Sequence, residues 1–303
     1  MIKINCELPL QTLLEQNMKL NEYDFVLFHL YQSHPAYREY YRTLRKEHPE
    51  RVMIFDNSAY EYFIKGEKLD VVAFRRAIEE LNPTFYILPD VLMDKAKTLD
   101  GVNNFINEGL PEVDSEPLAI IQGNTKREMI DCLEMYKTFG ISNIGIPFHN
   151  SFYCKWAGID WPSMFRMWNP KALFEKYPFL NVFKEFCKVY DTIPSLEMGE
   201  LIPKDIQYAV GRVHFINDIR KKLEDFDYVH ILGSHCPFEI NFYKDFNSMD
   251  TGYPVKLALA GKLLGTEEEK PNTIIDDFFE KHIDPVTTDQ IVRNINIFKS
   301  YRG

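Results

Sequence analysis

Val52-Met53-Ile54-Phe55-Asp56-Asn57-Ser58-Ala59-Tyr60 is a short apolar run that stops at an acid, and the chain repeats the pattern. Phe85-Tyr86-Ile87-Leu88-Pro89 stops at Asp90, Leu118-Ala119-Ile120-Ile121 stops at Gln122-Gly123, and Phe246-Asn247-Ser248-Met249 leads into Asp250-Thr251-Gly252-Tyr253-Pro254. Similar runs lie at Phe25 to Phe28, Asn143 to Ile146 and Tyr228 to Leu232. Continuous apolar runs without alternation are the signature of strands buried on both faces, as in parallel sheets. Between them, Val71 to Leu81, Lys126 to Phe139 and Arg212 to Asp225 place apolar residues three and four apart among charges, which predicts helices.

This β-α alternation, with about seven or eight repeats, predicts an α/β fold: a closed (β/α)8 TIM-type barrel forming one domain over residues 1–303. The C-terminal ends of barrel strands converge on one mouth, so Asp56, Asp90, Gln122 and Asp250 are expected to meet there. The rhythm breaks over 149–204, a stretch rich in aromatics that includes Phe152, Trp156, Trp161, Phe165, Trp168 and Phe179. A mostly helical insertion is expected there, serving either as an accessory core or as a surface that stacks on nucleic acid. A closing amphipathic helix is expected from Thr287 to Tyr301.

The composition sets limits. The 303 residues are 45% hydrophobic with a formal charge of -10, which excludes a generally basic nucleic-acid coat but not a local basic face. No basic-then-apolar leader and no apolar run of about 18 residues is read, so a cytoplasmic protein without membrane contact is expected. Cys6, Cys132, Cys154, Cys187 and Cys236 are scattered and lack CxxC spacing, and are read as packing residues of a reducing compartment. His149, His230, His235 and Cys236 fit zinc spacing poorly, so neither metal nor cofactor is expected.

Taken in order, these stations resemble the tRNA-guanine transglycosylase superfamily, which exchanges guanine for a 7-deazaguanine base in queuosine-related modification on a β/α barrel. Asp56-Asn57-Ser58-Ala59-Tyr60-Glu61 stands where that family has Asp-Ser-Gly-Gly-Phe/Tyr-Gln, and Pro89-Asp90 is similar to its base-reading aspartate. Ile121-Gln122-Gly123 resembles its Val-Gln-Gly, Ile144-Gly145-Ile146 its glycine-containing strand end, and Ile231-Leu232-Gly233 its Leu-Met-Gly. Asp250 and Pro254 keep its Asp-x-x-x-Pro spacing.

The resemblance implies Asp250 as nucleophile and Asp56 as acid/base. Exchange with retention at C1′ needs two displacements, as in retaining glycosidases, and a second carboxyl to move the proton of the departing and incoming bases. Asp90 would accept from N1–H and the exocyclic amine of guanine. Gln122, with Gly123 beside it, and the Gly145 N–H would donate to O6. Tyr60 would stack on the base opposite Leu232-Gly233, and the Ile146 carbonyl would meet the 7-substituent.

The chain departs from the family in two respects. The tRNA-modifying members carry a Cys-x-Cys-x2-Cys and a later His that bind structural zinc, whereas no cysteine follows Cys236 here. Glu61 also replaces the family's Gln, and Ser58-Ala59 its Gly-Gly. A zinc-less branch from bacteriophages and bacterial DNA-modification clusters acts on DNA, inserting 7-cyano-7-deazaguanine or relatives in a way that can protect DNA from restriction. That branch is the preferred expectation, with host cytoplasm as the location if phage-encoded. Lys256, Lys155, Arg166 and Lys171 are candidate phosphate contacts. The alternatives are a divergent zinc-less tRNA enzyme, a non-catalytic nucleic-acid- or base-binding subunit, and an unrelated barrel hydrolase of small sugars or nucleosides. A homodimer is left open, since the family's dimer surface involves the zinc region missing here.

Overall fold

A computed structural model describes residues 1–148, 153, 204–234, 236–265 and 278–302. Eight parallel strands form a nearly closed barrel in the order β1-β8-β7-β6-β5-β4-β3-β2. They are β1 (Lys3–Cys6), β2 (Asp24–Leu27), β3 (Met53–Asp56), β4 (Phe85–Ile87), β5 (Glu116–Ile120), β6 (Asn143–Ile146), β7 (Tyr228–Ile231) and β8 (Ser248–Thr251). The helices are α1 (Leu10–Leu20), α2 (Phe28–Ser33), α3 (Pro35–Glu47), α4 (Ala59–Lys65), α5 (Val71–Leu81), α6 (Lys95–Asn107), α7 (Lys126–Thr138), α8 (Lys204–Leu223), α9 (Tyr253–Leu259) and α10 (Pro285–Ser300).

Strand period explains both the core and the site, because alternate residues face opposite sides. One parity places Tyr23, Ile54, Phe85, Ile87, Leu118 and Ile120 in a cluster packed with Phe25, Val52, Tyr228 and Leu232, which fills the barrel. The other parity sends Val26, Phe55, Tyr86, Ala119, Ile144 and Ile231 into the larger core beneath the helices. Asp56 continues the inward series Val52, Ile54, and Gln122 continues Leu118, Ile120. Asp56 and Asp250 are therefore the last inward positions of β3 and β8, Gln122 extends the inward series two residues past β5, and Asp90 lies off that parity in the loop three residues past β4. Asp70, Asp94 and Thr125 cap α5, α6 and α7 by accepting from Ala73, Lys97 and Glu128 N–H groups, a common way to satisfy a helix start.

The joint between β1 and β2 carries no ladder of paired residues. Side chains close it. Asn5 Nδ2 donates to Tyr23 O at 2.8 Å, Asn21 Oδ1 accepts from Cys6 N–H at 2.7 Å while its Nδ2 donates to Cys6 O at 3.0 Å, and Glu22 Oε2 accepts from Ile4 N–H at 2.8 Å. One backbone bond joins them, from Glu22 N–H to Ile4 O at 3.3 Å.

The expected insertion over 149–204 lies outside the described residues, apart from Tyr153 and the first residue of α8. Helix α8 begins eight positions before the predicted Arg212, and α5 spans the predicted residues. Cys6, Cys132 and Cys236 are buried free thiols. No helix among the described residues is long and apolar enough to cross a membrane.

Candidate active site

A cavity of about 670 Å³ opens at the C-terminal mouth of the barrel, lined by Asp56, Asp90, Gln122, Leu232, Gly233 and Asp250, with Tyr60 and Lys256 at its walls. Eight predicted site residues thus share one space. Its size suits a small-molecule ligand, and barrel enzymes place their sites at this end.

Asp250 ends β8. His230 Nε2 lies 3.1 Å from its Oδ1, and Gly233 N–H donates to the same oxygen at 3.0 Å. Gly233 has φ +59, a left-handed conformation that glycine adopts without cost. Behind this loop Arg212 and Glu239, both sealed from solvent, pair at 2.7 Å. Arg212 Nη1 donates to Leu232 O at 2.6 Å and Nη2 to Gly233 O at 2.8 Å, while Glu239 accepts from Tyr243 O–H at 2.8 Å and from Ser234 O–H.

Asp90 is oriented by two amides. Asn57 Nδ2 donates to its Oδ1 at 2.8 Å and Gln122 Nε2 to its Oδ2 at 2.7 Å. Each amide is itself fixed: Asn57 Oδ1 accepts from Ala59 N–H at 2.8 Å and Gln122 Oε1 from Met93 N–H at 2.9 Å. Burial pushes the Asp90 carboxyl up, opposed by these two bonds.

Asp56 ends β3, its Oδ2 accepting from Ser58 N–H at 2.7 Å. Burial first, then the charge of Glu61, with Asp90 and Asp250 adding, holds its carboxyl well above the usual range against that one bond. Such a carboxyl retains a proton where free aspartate has lost it, as a general acid requires. Ser58 is the residue at φ 60, where the resembled family has glycine. Its hydroxyl is 3.1 Å from His29 N–H and 2.9 Å from His29 Nδ1, which secures an unusual conformation for a side chain. Burial lowers His29 to about 4, so it remains neutral there.

Glu61 and Glu7 also line the cavity. Burial, then Glu7, raises Glu61 to about 7, with Lys256 opposing. Lys256 Nζ lies 3.9 Å from Glu7 Oε2 and 5.6 Å from the centre of the Phe278 ring. It is therefore a cation among cavity carboxylates rather than part of an open basic face. Lys155, Arg166 and Lys171 lie outside the described residues.

Three expected contacts sit apart from the cavity lining. A Cβ on Gly123 would meet Glu128 Cβ at 2.7 Å, so that glycine admits the first turn of α7. A Cβ on Gly145 would meet Ile120 Cδ1 at 2.4 Å and Leu232 Cδ1 at 2.7 Å, so its bare Cα makes room for the barrel core, and its carbonyl accepts from Ile121 N–H at 3.0 Å. The Ile146 carbonyl accepts from Leu232 N–H at 3.0 Å. Tyr60, 46% exposed on α4, stands at the mouth as a stacking residue would.

Asn57, His230, Arg212, Glu239 and Glu7 carry site functions that the sequence reading did not assign. His230 had the visible signal: it is a polar residue at the inward parity of β7. Comparison of the chain with protein-family models and with curated proteins gave no match.

Proposed function

We propose that this protein is a transglycosylase that exchanges guanine for a 7-deazaguanine base, such as 7-cyano-7-deazaguanine, in DNA. The observation that carries this reading is the division of labour among three carboxyls around one cavity: Asp250 held by donors on one oxygen, Asp56 held toward its protonated form, and Asp90 aimed by two amides.

In the first step an Asp250 oxygen attacks C1′ of the target nucleotide as the bond from C1′ to the base nitrogen breaks. The bonding electrons leave with guanine, and Asp56 supplies a proton to it. In the second step Asp56 takes a proton from the incoming base, whose nitrogen displaces Asp250 from C1′, so configuration is retained overall. Asp90 accepts from N1–H and the amine of the base, both donors, while the second hydrogen of the Gln122 amide is available to O6. A duplex target must first leave the stack, at a cost of a few kcal/mol.

The preference for DNA over tRNA is supported by the sequence, since no cysteine follows Cys236 and the zinc site of the tRNA-modifying branch is missing. The test incubates the purified protein with labelled guanine or 7-cyano-7-deazaguanine and with DNA or unmodified tRNA, followed by mass spectrometry of the nucleosides. Label in deoxynucleosides, lost in Asp250→Ala, is expected. Label only in ribonucleosides would transfer the assignment to a tRNA enzyme, and label in neither would remove the exchange reading.

A further inference from the structure

Asp250 is the end of a buried polar thread. Tyr228 O–H lies 2.9 Å from Ser248 Oγ, Ser248 Oγ lies 2.8 Å from His230 Nδ1, and His230 Nε2 lies 3.1 Å from Asp250 Oδ1. The His230 side chain is fully buried. Phe25 stacks on its ring at 5.3 Å and Tyr23 meets it edge-on at 6.2 Å, so the imidazole has no freedom to turn toward other partners. All four polar groups lie on adjacent strands at the inward parity, in register His230 to Ser248.

The directions of these bonds follow from what each group can donate. Tyr228, raised to about 12 chiefly by burial, keeps its hydroxyl hydrogen and donates it to Ser248. Asp250 Oδ1 is a carboxylate oxygen and can only accept, so the His230 Nε2 facing it carries a ring hydrogen. In the neutral ring Nδ1 is then the acceptor, and the Ser248 hydroxyl donates to it. Both donors that reach Asp250, this Nε2–H and Gly233 N–H, end on Oδ1. Among the described residues nothing donates to Oδ2.

We infer that His230 is a positioning residue that selects the working oxygen of Asp250: it ties Oδ1 to the strand behind it and leaves Oδ2 to form the bond to C1′. The inference rests on the reading of Asp250 as nucleophile. A bulky buried ring could have been aliphatic if its task were packing, and an aliphatic ring would leave Asp250 with one donor and a carboxylate free to rotate. Locking the torsion matters because misplacing a reacting atom by about 1 Å can cost on the order of 100-fold in rate.

Two measurements test this, and only one depends on exchange. In protein carrying ¹⁵N-histidine, the His230 signal, assigned by its loss in His230→Gln, is expected to show hydrogen on Nε2 and none on Nδ1, and to shift in Asp250→Ala. Hydrogen on Nδ1, or a signal indifferent to Asp250→Ala, would overturn the inference whether or not the protein exchanges bases. In the exchange assay, His230→Phe is expected to lower kcat by about 10- to 100-fold with KM nearly unchanged. His230→Gln, which keeps an amide donor near the Nε2 position, is expected to recover part of the loss, and Ser248→Ala to fall between them. A folded His230→Phe protein with parental kcat would sink the positioning role. Loss of exchange from the parent protein would instead remove the function reading and leave the NMR result to decide the contact.

Discussion

Arg212 and Glu239 meet at 2.7 Å with no solvent access to either, and Arg212 spends its remaining donors on the carbonyls of Leu232 and Gly233. The ion pair is thus the foundation of the loop whose Gly233 N–H holds Asp250. Removing one partner strands a buried charge, so Glu239→Gln is expected to destabilise the fold by about 3–5 kcal/mol. Urea unfolding measures it, and a change under about 1 kcal/mol would show that the pair is dispensable.

Asp90→Asn should impair base selection more than folding. On the proposed reading the substitution puts a donor where N1–H and the amine of guanine need an acceptor, and it sets one amide from Asn57 or Gln122 against another donor. A loss on the order of 10³-fold in kcat/KM is expected, given what sites built for a hydrogen bond lose when it is denied. Unfolding checked in parallel should show a loss of only about 1–3 kcal/mol, the cost of the one amide left facing a donor. Guanine exchange at the parental rate would exclude Asp90 from base reading.

Glu61 carries a pH signature. Its folded value of about 7 exceeds its ordinary 4.5. Between those values the folded chain keeps a proton that the unfolded chain has released, so stability is greatest below the ordinary value and declines as pH rises to about 7. Glu61→Gln removes this decline. The variant is expected to match the parent near about pH 4 and to exceed it by roughly 2 kcal/mol near about pH 8. Parallel unfolding curves at the two pH values would refute the assignment if the difference between the proteins stayed constant.

Asn21→Ala removes both bonds to Cys6 at the ladderless joint and leaves its N–H and carbonyl without those partners. A destabilisation of about 2–4 kcal/mol is expected from two buried groups left unmet. Amide exchange should accelerate first at Cys6. Equal acceleration around all eight strands would show that the joint has no separate role.

The fold was legible because strand ends and polar stations coincide: Asp56, Asp90 and Gln122 each close an apolar run, and counting by two gives the inward parity of Asp56 and Gln122, while Asp90 falls off it in the loop after β4. β1 was harder to see. Ile2-Lys3-Ile4-Asn5-Cys6 alternates rather than running apolar, because its inward Asn5 serves the joint to β2 instead of the barrel core. Within the site, residues that line the cavity were visible and those that hold them were not. Asn57 and Arg212 act through bonds to residues 33 and 20 positions away, which no local pattern encodes. Gly145 and Gly123 drew attention as ligand contacts, but a missing Cβ serves packing equally well, and in both cases a neighbouring side chain occupies the space.

The pairing of β1 with β8 sets an order of assembly, and the C-terminal residues reinforce it. Glu22, which bonds Ile4 N–H, is itself held by Arg302 at 2.8 Å across 280 positions, and Arg302 reaches Ile2 O at 3.2 Å. Each backbone ladder from β2 round to β8 joins strands that are neighbours in the chain, and the side chains across the β1–β2 joint bridge only 15 to 18 positions, whereas the β1–β8 ladder, from Lys3 with Ser248 to Cys6 with Thr251, joins residues nearly a whole chain length apart. Contacts at such separation demand the largest loss of chain entropy and form late. The barrel is therefore expected to grow as an open, curving sheet and to become a ring only when β8 meets β1. Until then β1, held beside β2, has no register with Asp250, so the pocket and the closed ring come into being in the same step.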